Sequence, residues 1–203
     1  CIVLTLDGWG DGRNQTVWKV SDEKFTLLAE SNQNDLGRIY KMATLLLGMR
    51  PDEHEFKVMG LAAYAKSSYV KQAKLIIDDL CAVDGMRIIS KNRPINLFSY
   101  LEEAWKVHRF DNIAGAVQTL VENIVLKLIK QISKKYKINS FSLSGGVSMN
   151  IKMNGFLAKQ NFVKKIYVSP TGTDDSLSIG ACYYLNRNNN NKFLKNISLE
   201  IPK

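Results

Sequence analysis

The chain has 203 residues, of which 45% are hydrophobic and 23% are charged, and this composition is typical of a globular protein. Lysine and arginine outnumber aspartate and glutamate by 28 to 19, which gives a formal net charge of +9. Because the lysines are scattered along the chain and not interleaved with aromatic residues, we interpret the surplus as a solvated basic face near an anionic ligand and consider nucleic acid a disfavoured partner.

Cysteine usage and hydropathy argue against two further classes. Cys1, Cys81 and Cys182 are odd in number and have no CxxC spacing, which disfavours both a disulfide framework and a cysteine zinc site. The sequence has no apolar run of about 18 residues and no signal-peptide pattern. We therefore expect a cytoplasmic protein that is not bound to a membrane. The chain starts without Met inside a predicted strand, so we also expect it to be a piece of a longer protein.

The amino-terminal part predicts three strands in a meander. Ile2 to Leu6 is a continuous apolar run and therefore a buried strand, and residues 7–12 form a turn rich in glycine and carboxylate. Thr16 to Val20 and Lys24 to Leu28 alternate between apolar and polar residues, as two further strands would.

A helix and a loosely patterned segment follow. Asp35 is placed to be the N-cap of a helix that Gly48 ends. From about residue 51 to residue 105 the pattern predicts a mainly helical insertion between core elements. It contains an amphipathic helix from Tyr69 to Leu80 and a short strand from Met86 to Ile89.

The carboxy-terminal half predicts alternating helices and strands. Asp111 is expected to cap a long helix whose apolar residues recur at helical spacing up to Ile132. The further elements are strands from Ser140 to Leu143 and from Lys165 to Val168, and helices from about Met149 to Gln160 and from about Ser176 to Asn186. Residues 186–203 form an asparagine-rich run that we expect to be a flexible tail.

The order of these elements, βββα, insertion, αβαβα, predicts an α/β fold with a mixed sheet flanked by helices. It is the order of one lobe of the actin, hexokinase and ribonuclease-H-like architecture. This analogy concerns the fold and does not assign a function.

Three turns are expected to meet at the edge of the sheet where the strands end. Their candidate residues are Asp7, Gly8 and Gly10 in the first turn, Gly145, Gly146 and Asn150 in the second, and Asp174 in the third. Glycine lets backbone N–H groups approach an anion such as phosphate. A carboxylate can bind a cation that is bound at the same time by phosphate groups. Simpler roles remain open for each: a hairpin turn for Asp7, a helix cap for Asn150 and an N-cap for Asp174 or Asp175.

Several blocks, in this order and spacing, resemble the O-carbamoyltransferase family of nodulation protein U and the cephem carbamoyltransferases. The blocks are Leu6-Asp7-Gly8-Trp9-Gly10-Asp11, Leu36-Gly37-Arg38-Ile39-Tyr40, Lys57-Val58-Met59-Gly60-Leu61-Ala62-Ala63-Tyr64, Ser144-Gly145-Gly146-Val147-Ser148-Met149-Asn150 and Asp174 leading to Ile179-Gly180-Ala181. The resemblance runs over nearly the whole chain. It implies that residues 1–185 are the carboxy-terminal lobe of a kinase-like domain, with the insertion at about 51–105.

The resemblance also implies an activity. In such proteins a YrdC-like domain makes carbamoyl-adenylate from carbamoyl phosphate and ATP, and the kinase-like domain moves the carbamoyl group to a hydroxyl of a sugar, antibiotic or nodulation factor. We therefore expect this chain to be part of an ATP-dependent O-carbamoyltransferase. Its full-length form would add an amino-terminal lobe and the YrdC-like domain, and the fragment alone would be inactive.

The resemblance further implies a metal of the iron type, held by two histidines and by aspartates. Asp7 and Asp174 lie at the family's aspartate positions, and the histidines belong to a segment upstream of Cys1. His54 and His108 do not lie at ligand positions.

Nucleotide binding is expected from the glycines and Asn150 named above, with two additions. Glu55 and Lys57 are candidates for the ribose or phosphate, or else they form an ion pair on a helix surface. Gln118 and Glu122 lie four residues apart and either support the site or are solvated. No catalytic residue is assigned from the sequence.

Two other functions remain open at this point. The chain is alternatively a non-catalytic nucleotide-binding module of the same fold. It is alternatively a tRNA-modification protein that uses threonylcarbamoyl-adenylate, for which the charge of +9 is the one additional argument.

Overall fold

The computed structural model describes residues 1–22 and 24–188, with the side chains of residues 187 and 188 left aside. The strands are β1 (Ile2–Gly10), β2 (Arg13–Ser21), β3 (Lys24–Ser31), β4 (Cys81–Asp84), β5 (Arg87–Ser90), β6 (Ser140–Ser144) and β7 (Lys165–Val168). The α-helices are α1 (Leu36–Leu46), α2 (Glu55–Leu61), α3 (Ser67–Leu75), α4 (Leu97–Ala104), α5 (Phe110–Tyr136), α6 (Ile151–Ala158) and α7 (Ser176–Asn188). The predicted tail falls, from residue 189 onward, outside the described residues.

The central sheet has five strands in the order β3-β2-β1-β6-β7. β1 pairs antiparallel with β2 and parallel with β6, and β6 pairs parallel with β7. A mixed sheet flanked by helices is therefore confirmed. Since β1 and β6 run in the same direction, their carboxyl ends lie at the same edge of the sheet.

β1 is longer than its apolar run predicts. It continues to Gly10, and the turn to β2 is made by Asp11 and Gly12, which both have positive φ. The register between β1 and β2 is regular up to Leu6, breaks, and resumes at Gly10. Asp7 and Gly8 therefore lie in an irregular strand end and not in a hairpin turn, because a bulge lets the strand continue past its buried part.

The long helix α5 is the centre of the core. More than half of its 27 residues are buried, including the apolar positions that define its periodicity. Its length and composition would allow it to cross a membrane, but 67% of that apolar stretch is buried inside the protein, as in the core helix of a folded domain. It is the one helix of this kind in the described part of the chain.

The segment from 51 to 105 contains α2, α3, the β4–β5 hairpin and α4, of which α2, β4 and α4 were not predicted. Two buried side chains of the main sheet hold the hairpin. The Gln15 side-chain amide donates to the Met86 carbonyl (2.9 Å) and accepts from the Ile88 N–H (2.7 Å). The Ser31 hydroxyl donates to the Ile88 carbonyl (2.9 Å). Since both β2 and β3 contribute, the insertion is fixed to the sheet.

Two predicted helix caps are wrong in detail. Asp35 precedes α1, but its side chain makes no capping hydrogen bond and instead lies 3.6 Å from Arg93. Asp111 is the second residue of α5, whose N-cap is Arg109. Hydrogen bonding to the Arg109 guanidinium lowers the pKa of the Asp111 carboxyl. Gly48 follows α1 with φ of +71°, as predicted for a helix stop.

Candidate functional site

A cleft of about 1140 Å³ opens at the edge of the sheet where β1 and β6 end. Its walls come from these strand ends, from α1 and α2, and from the turn before α7. The predicted residues that line it are Asp7, Gly8, Glu55, Gly146, Asn150 and Asp174. Gly10, Lys57 and Gly145 were also predicted but do not line it. The three turns that the sequence placed at one edge are thus brought together.

Asp7 connects the first turn to the second. Its Oδ1 accepts a hydrogen bond from the Gly8 N–H (2.6 Å). A Cβ added at Gly146 would lie 3.3 Å from the same oxygen, so the Asp7 carboxylate and the turn after β6 are in contact. This close approach is a reason for glycine at position 146.

Gly145 connects the second turn to the third, but not in the way that the sequence indicates. Its φ is +91°, and a Cβ there would lie 2.2 Å from the Leu6 carbonyl oxygen. Its N–H donates to the Gly172 carbonyl (2.8 Å) and is therefore not available to an anion. Gly145 is required by the packing of the turn against β1, and Gly146 is the glycine that faces the cleft.

Asn150 precedes α6 instead of lying one turn into it, because a short 3-10 helix (Gly146–Met149) intervenes. Its Oδ1 accepts from the Met153 N–H (2.9 Å), so it is the N-cap of α6. The same oxygen accepts from Gln118 Nε2 (3.0 Å), and Asn150 Nδ2 donates to Gln118 Oε1 (2.8 Å). Since both lone pairs of Oδ1 are used, Asn150 offers a ligand one N–H donor and no acceptor.

Gln118 is buried at the centre of a polar network that the sequence only partly indicated. Besides Asn150, it contacts the hydroxyl of Tyr40, which donates to Gln118 Oε1 (3.1 Å), and the Glu122 carboxylate, which accepts from Gln118 Nε2 (2.7 Å). Burial raises the pKa of Tyr40 well above its usual value, and the charges of Glu55 and Glu122 add to this. Tyr40 therefore remains a neutral donor. In the sequence Tyr40 belongs to one of the blocks that resemble the family, and no local pattern indicates its bond to Gln118.

Glu55 and Lys57 separate in the structure. Glu55 lines the cleft, and its Oε1 accepts from the Asp52 N–H (2.8 Å) at the start of α2. Lys57 is exposed and its ammonium lies 5.8 Å from the centre of the Phe56 ring. The two side chains form no ion pair within the described ranges, so the simple surface-pair alternative is wrong.

Gly37 is a site residue for which the sequence offered no role. A Cβ at this position would lie 2.9 Å from Gly8 Cα and 3.2 Å from a methyl group of Val147. The first turn of α1 therefore approaches both the end of β1 and the 3-10 helix. The next residue, Arg38, lines the cleft.

The charges that line the cleft are mainly negative. Six carboxylates (Asp7, Asp35, Asp52, Glu53, Glu55 and Asp174) face three cations (Arg38, Lys41 and Arg93). Lys41 pairs with Asp52 at 2.5 Å, and Arg93 lies 3.6 Å from Asp35. Arg38 has no carboxylate partner among residues 1–22 and 24–188. The predicted basic face is thus not the lining of the cleft, and an anion that binds there would meet Arg38 as its unpaired cation.

Two of the carboxylates that line the cleft are the predicted metal ligands. Asp7 and Asp174 line the same cleft, and carboxylate oxygen is a suitable ligand for iron or another divalent cation. A complete site needs about four to six ligands. Within the described residues, no group of three or more His, Cys, Asp or Glu side chains is close enough to hold a metal ion. His54 accepts instead from the Arg50 N–H (3.1 Å).

Comparison with known proteins relates this chain to a family. The family model described as "Carbamoyltransferase N-terminus" matches residues 1–183. An uncharacterised protein of Methanocaldococcus jannaschii is 30% identical in an alignment of 191 residues that covers 89% of this chain and 36% of that protein. The nodulation protein NolNO of Sinorhizobium fredii is 28% identical in an alignment of 185 residues that covers 89% of this chain and 27% of NolNO. The chain therefore spans about a third of the length of the curated relatives that it matches.

A solved structure gives the same fold. Component A of (R)-2-hydroxyglutaryl-CoA dehydratase from Acidaminococcus fermentans aligns with a TM-score of 0.53 over 90% of this chain and 60% of that one. The sequence identity is 16%, so the likeness concerns the fold alone.

Proposed function

This chain belongs to the carbamoyltransferase N-terminus family, and from that premise we propose that it is part of an ATP-dependent O-carbamoyltransferase. In this proposal the cleft holds carbamoyl-adenylate while its carbamoyl group passes to a hydroxyl of a small-molecule or sugar acceptor. The chain would be the carboxy-terminal lobe of the kinase-like domain, and the rest of the longer protein would supply the other wall of the site.

The observation that carries the proposal is the meeting of three distant turns in one cleft. Asp7, Gly146 and Asp174 come from widely separated parts of the chain and line a volume of about 1140 Å³. Clefts that bind ligands of nucleotide size have volumes of roughly 300–1,000 Å³. The position outside the carboxyl ends of the strands is where open α/β sheets bind their ligands.

The residues of the cleft suit an acyl phosphate. Arg38 would provide a cation for the phosphate of the adenylate, and the Gly146 N–H and the remaining side-chain N–H of Asn150 would donate to its oxygens. Donors fixed in this way stabilise the negative charge that develops on the carbonyl and phosphate oxygens when the hydroxyl attacks the carbamoyl carbon and AMP departs. The family's metal would be a Lewis acid at the carbonyl, with Asp7 and Asp174 as two of its ligands.

The test compares two neighbouring aspartates in the intact protein. Asp174 lines the cleft, whereas Asp175 is exposed and does not. We expect Asp174→Asn to lower carbamoyl transfer by about 100-fold or more and Asp175→Asn to leave it near the wild-type rate. Mass spectrometry of hydroxyl acceptors that gain a carbamoyl group measures the transfer.

Binding separates two kinds of failure. Calorimetry with a non-hydrolysable carbamoyl-adenylate analogue reports whether each variant still holds the nucleotide. Normal transfer by Asp174→Asn, or equal loss in both variants, would refute the assignment of Asp174. Absence of both analogue binding and transfer in the intact wild-type protein would refute the proposed function.

A further inference from the structure

The net positive charge of the chain comes from one segment. Residues 123–173 contain nine lysines, no arginine, and no aspartate or glutamate, whereas the rest of the chain has 19 cations and 19 carboxylates. The whole formal surplus of +9 therefore comes from this segment. Its lysines are Lys127, Lys130, Lys134, Lys135, Lys137, Lys152, Lys159, Lys164 and Lys165.

The fold brings most of these lysines to one edge of the sheet. β6 and β7 are adjacent and parallel, with Ser140 opposite Lys165, so the segments that enter them lie side by side. The Lys164 N–H donates to the Asn139 carbonyl (2.8 Å), which joins the chain after Lys137 to the chain before β7. We call the lysines at and beside this junction, residues 127–137 and 159–165, the lysine edge. Lysines that are scattered in the sequence are thus neighbours in the structure.

The lysine edge is solvated and unpaired. All of its lysines are exposed. None of the ion pairs in the described part of the chain involves them, although Lys41, Lys74 and Lys106 elsewhere do form such pairs. The edge lies at the amino ends of β6 and β7, which is the side of the sheet opposite to the cleft.

Helix electrostatics explains only a few of these lysines. Lys134 and Lys135 are in the last turn of α5, where a cation is favourable near the negative end of the helix dipole. This effect is limited to about one turn. It does not account for Lys127 and Lys130, which lie further back along α5, or for Lys164 and Lys165 at the start of β7.

We propose that the lysine edge binds the phosphate backbone of a nucleic acid without reading its sequence. Lys127, Lys130 and Lys134 follow one another along α5 at a rise of about 5 Å, a spacing similar in scale to that of phosphates along a strand. Because the edge has no arginine, it lacks the bidentate donor that typically reads guanine.

Two other kinds of anionic partner fit less well. Membrane-binding helices place apolar side chains beside their basic residues, but the exposed residues of α5 from Asn123 to Tyr136 are asparagine and lysine. Protein interfaces are depleted in lysine and have an apolar centre, and the lysine edge is the reverse of this. A polyphosphate backbone requires only a row of solvated cations.

The test measures binding of a labelled mixed-sequence RNA oligomer by fluorescence anisotropy at several salt concentrations. One variant changes Lys130, Lys134, Lys164 and Lys165 to Gln. The control changes four other exposed and unpaired lysines, Lys24, Lys66, Lys71 and Lys91, to Gln and has the same net charge. We expect the first variant to lose about tenfold or more in affinity and to have a salt slope that is smaller by about 0.7 for each lost contact. The control should remain within about twofold of the wild type.

Three results would overturn the proposal. The first is that the wild-type protein fails to bind the oligomer at low salt. The second is that both variants lose the same affinity. The third is that anionic lipid vesicles or polyglutamate compete for the protein as well as RNA does at equal charge. Circular dichroism and thermal unfolding show that each variant is folded. The proposal does not depend on the carbamoyltransferase activity.

Discussion

Gln118 and Asn150 exchange two side-chain hydrogen bonds, of 3.0 and 2.8 Å, across 32 residues of sequence. The pair joins the middle of α5 to the amino terminus of α6, and Tyr40 extends it to α1. Since Asn150 also caps α6, one amide of α5 determines where that helix begins. Two members of this network, Tyr40 and Asn150, line the cleft.

We predict that Gln118→Ala destabilises the protein by about 2–4 kcal/mol, because it leaves the buried Tyr40 hydroxyl without its acceptor and removes both hydrogen bonds between Asn150 and α5. Gln131 on the same helix is the matched control, since its Oε1 has no hydrogen-bond partner. Gln131→Ala should change the free energy of unfolding by less than about 0.5 kcal/mol. Urea unfolding measures both, and equal losses would show that the network contributes nothing specific.

Two glycines that differ in backbone conformation and in surroundings provide a second prediction. Gly145→Ala should cost about 3 kcal/mol or more, because the position has positive φ and the new Cβ would overlap the Leu6 carbonyl. Gly155 is in α6 with nothing within 4 Å of an added Cβ. Gly155→Ala should therefore stabilise the protein by about 0.5–1 kcal/mol. Thermal unfolding of the two variants tests this, and a stable Gly145→Ala protein would contradict the observed turn.

The buried thiol of Cys81 predicts a loss of stability in alkali. Burial raises its pKa from 9.0 to about 12, and the charge of Asp35 acts in the same direction. Between these two values the unfolded chain loses the thiol proton while the folded chain keeps it. The free energy of unfolding should therefore fall as pH rises above 9, by up to about 1.4 kcal/mol per pH unit.

The variant Cys81→Ala isolates this contribution. It should be less stable than the wild type at neutral pH, because a buried side chain is truncated. Its free energy of unfolding should, however, vary less between pH 8 and pH 10. Above this range the raised pKa of Tyr40 adds its own pH dependence. A pH dependence identical to that of the wild type would contradict the shifted pKa. Cys1 and Cys182 are exposed, so a thiol reagent should modify them in the folded protein well before Cys81.

Gln15 predicts how firmly the insertion is held. Gln15→Ala should cost about 2–3 kcal/mol and accelerate hydrogen exchange of the Ile88 N–H, which loses its acceptor. Gln15→Glu keeps an acceptor for Ile88 but loses the donor to Met86, so Ile88 should retain more protection than in Gln15→Ala. Unchanged exchange at Ile88 in both variants would show that the hairpin is held by other contacts.

The fold was predictable wherever hydrophobic periodicity was strong. The apolar run from Ile2 to Leu6 and the helical spacing along α5 reflect burial directly, and both elements are present, although β1 continues to Gly10 and α5 begins at Phe110. α2, β4 and α4 were missed because they are short and lie in a segment without clear periodicity. The hydrogen bonds of Gln15 that fix β5 connect residues that are more than 70 positions apart, and no local pattern reports such a bond.

The site was predictable in its location more than in its contacts. Strand ends followed by glycine and carboxylate placed Asp7, Gly146 and Asp174 at one edge, and all three line the cleft. The roles expected for Gly145 and Asn150 were less accurate, because the N–H of one and the carbonyl of the other are used by the protein itself. The sequence gives the type of each residue. Which of its hydrogen-bond donors and acceptors are free to bind a ligand depends on the neighbours that the fold provides.

The pairing of β1 with β6 has a consequence for biosynthesis. Ile2 is opposite Phe141 in the sheet. During synthesis β1, the middle strand, therefore cannot pair with β6 until β6 has left the ribosome, after the whole helical segment. Until then the open side of β1 is exposed next to a meander that can already form. Parallel pairings between such distant residues are slow and expose nascent chains to aggregation. We therefore expect the yield of folded protein to depend strongly on synthesis rate and on chaperones that bind the growing chain.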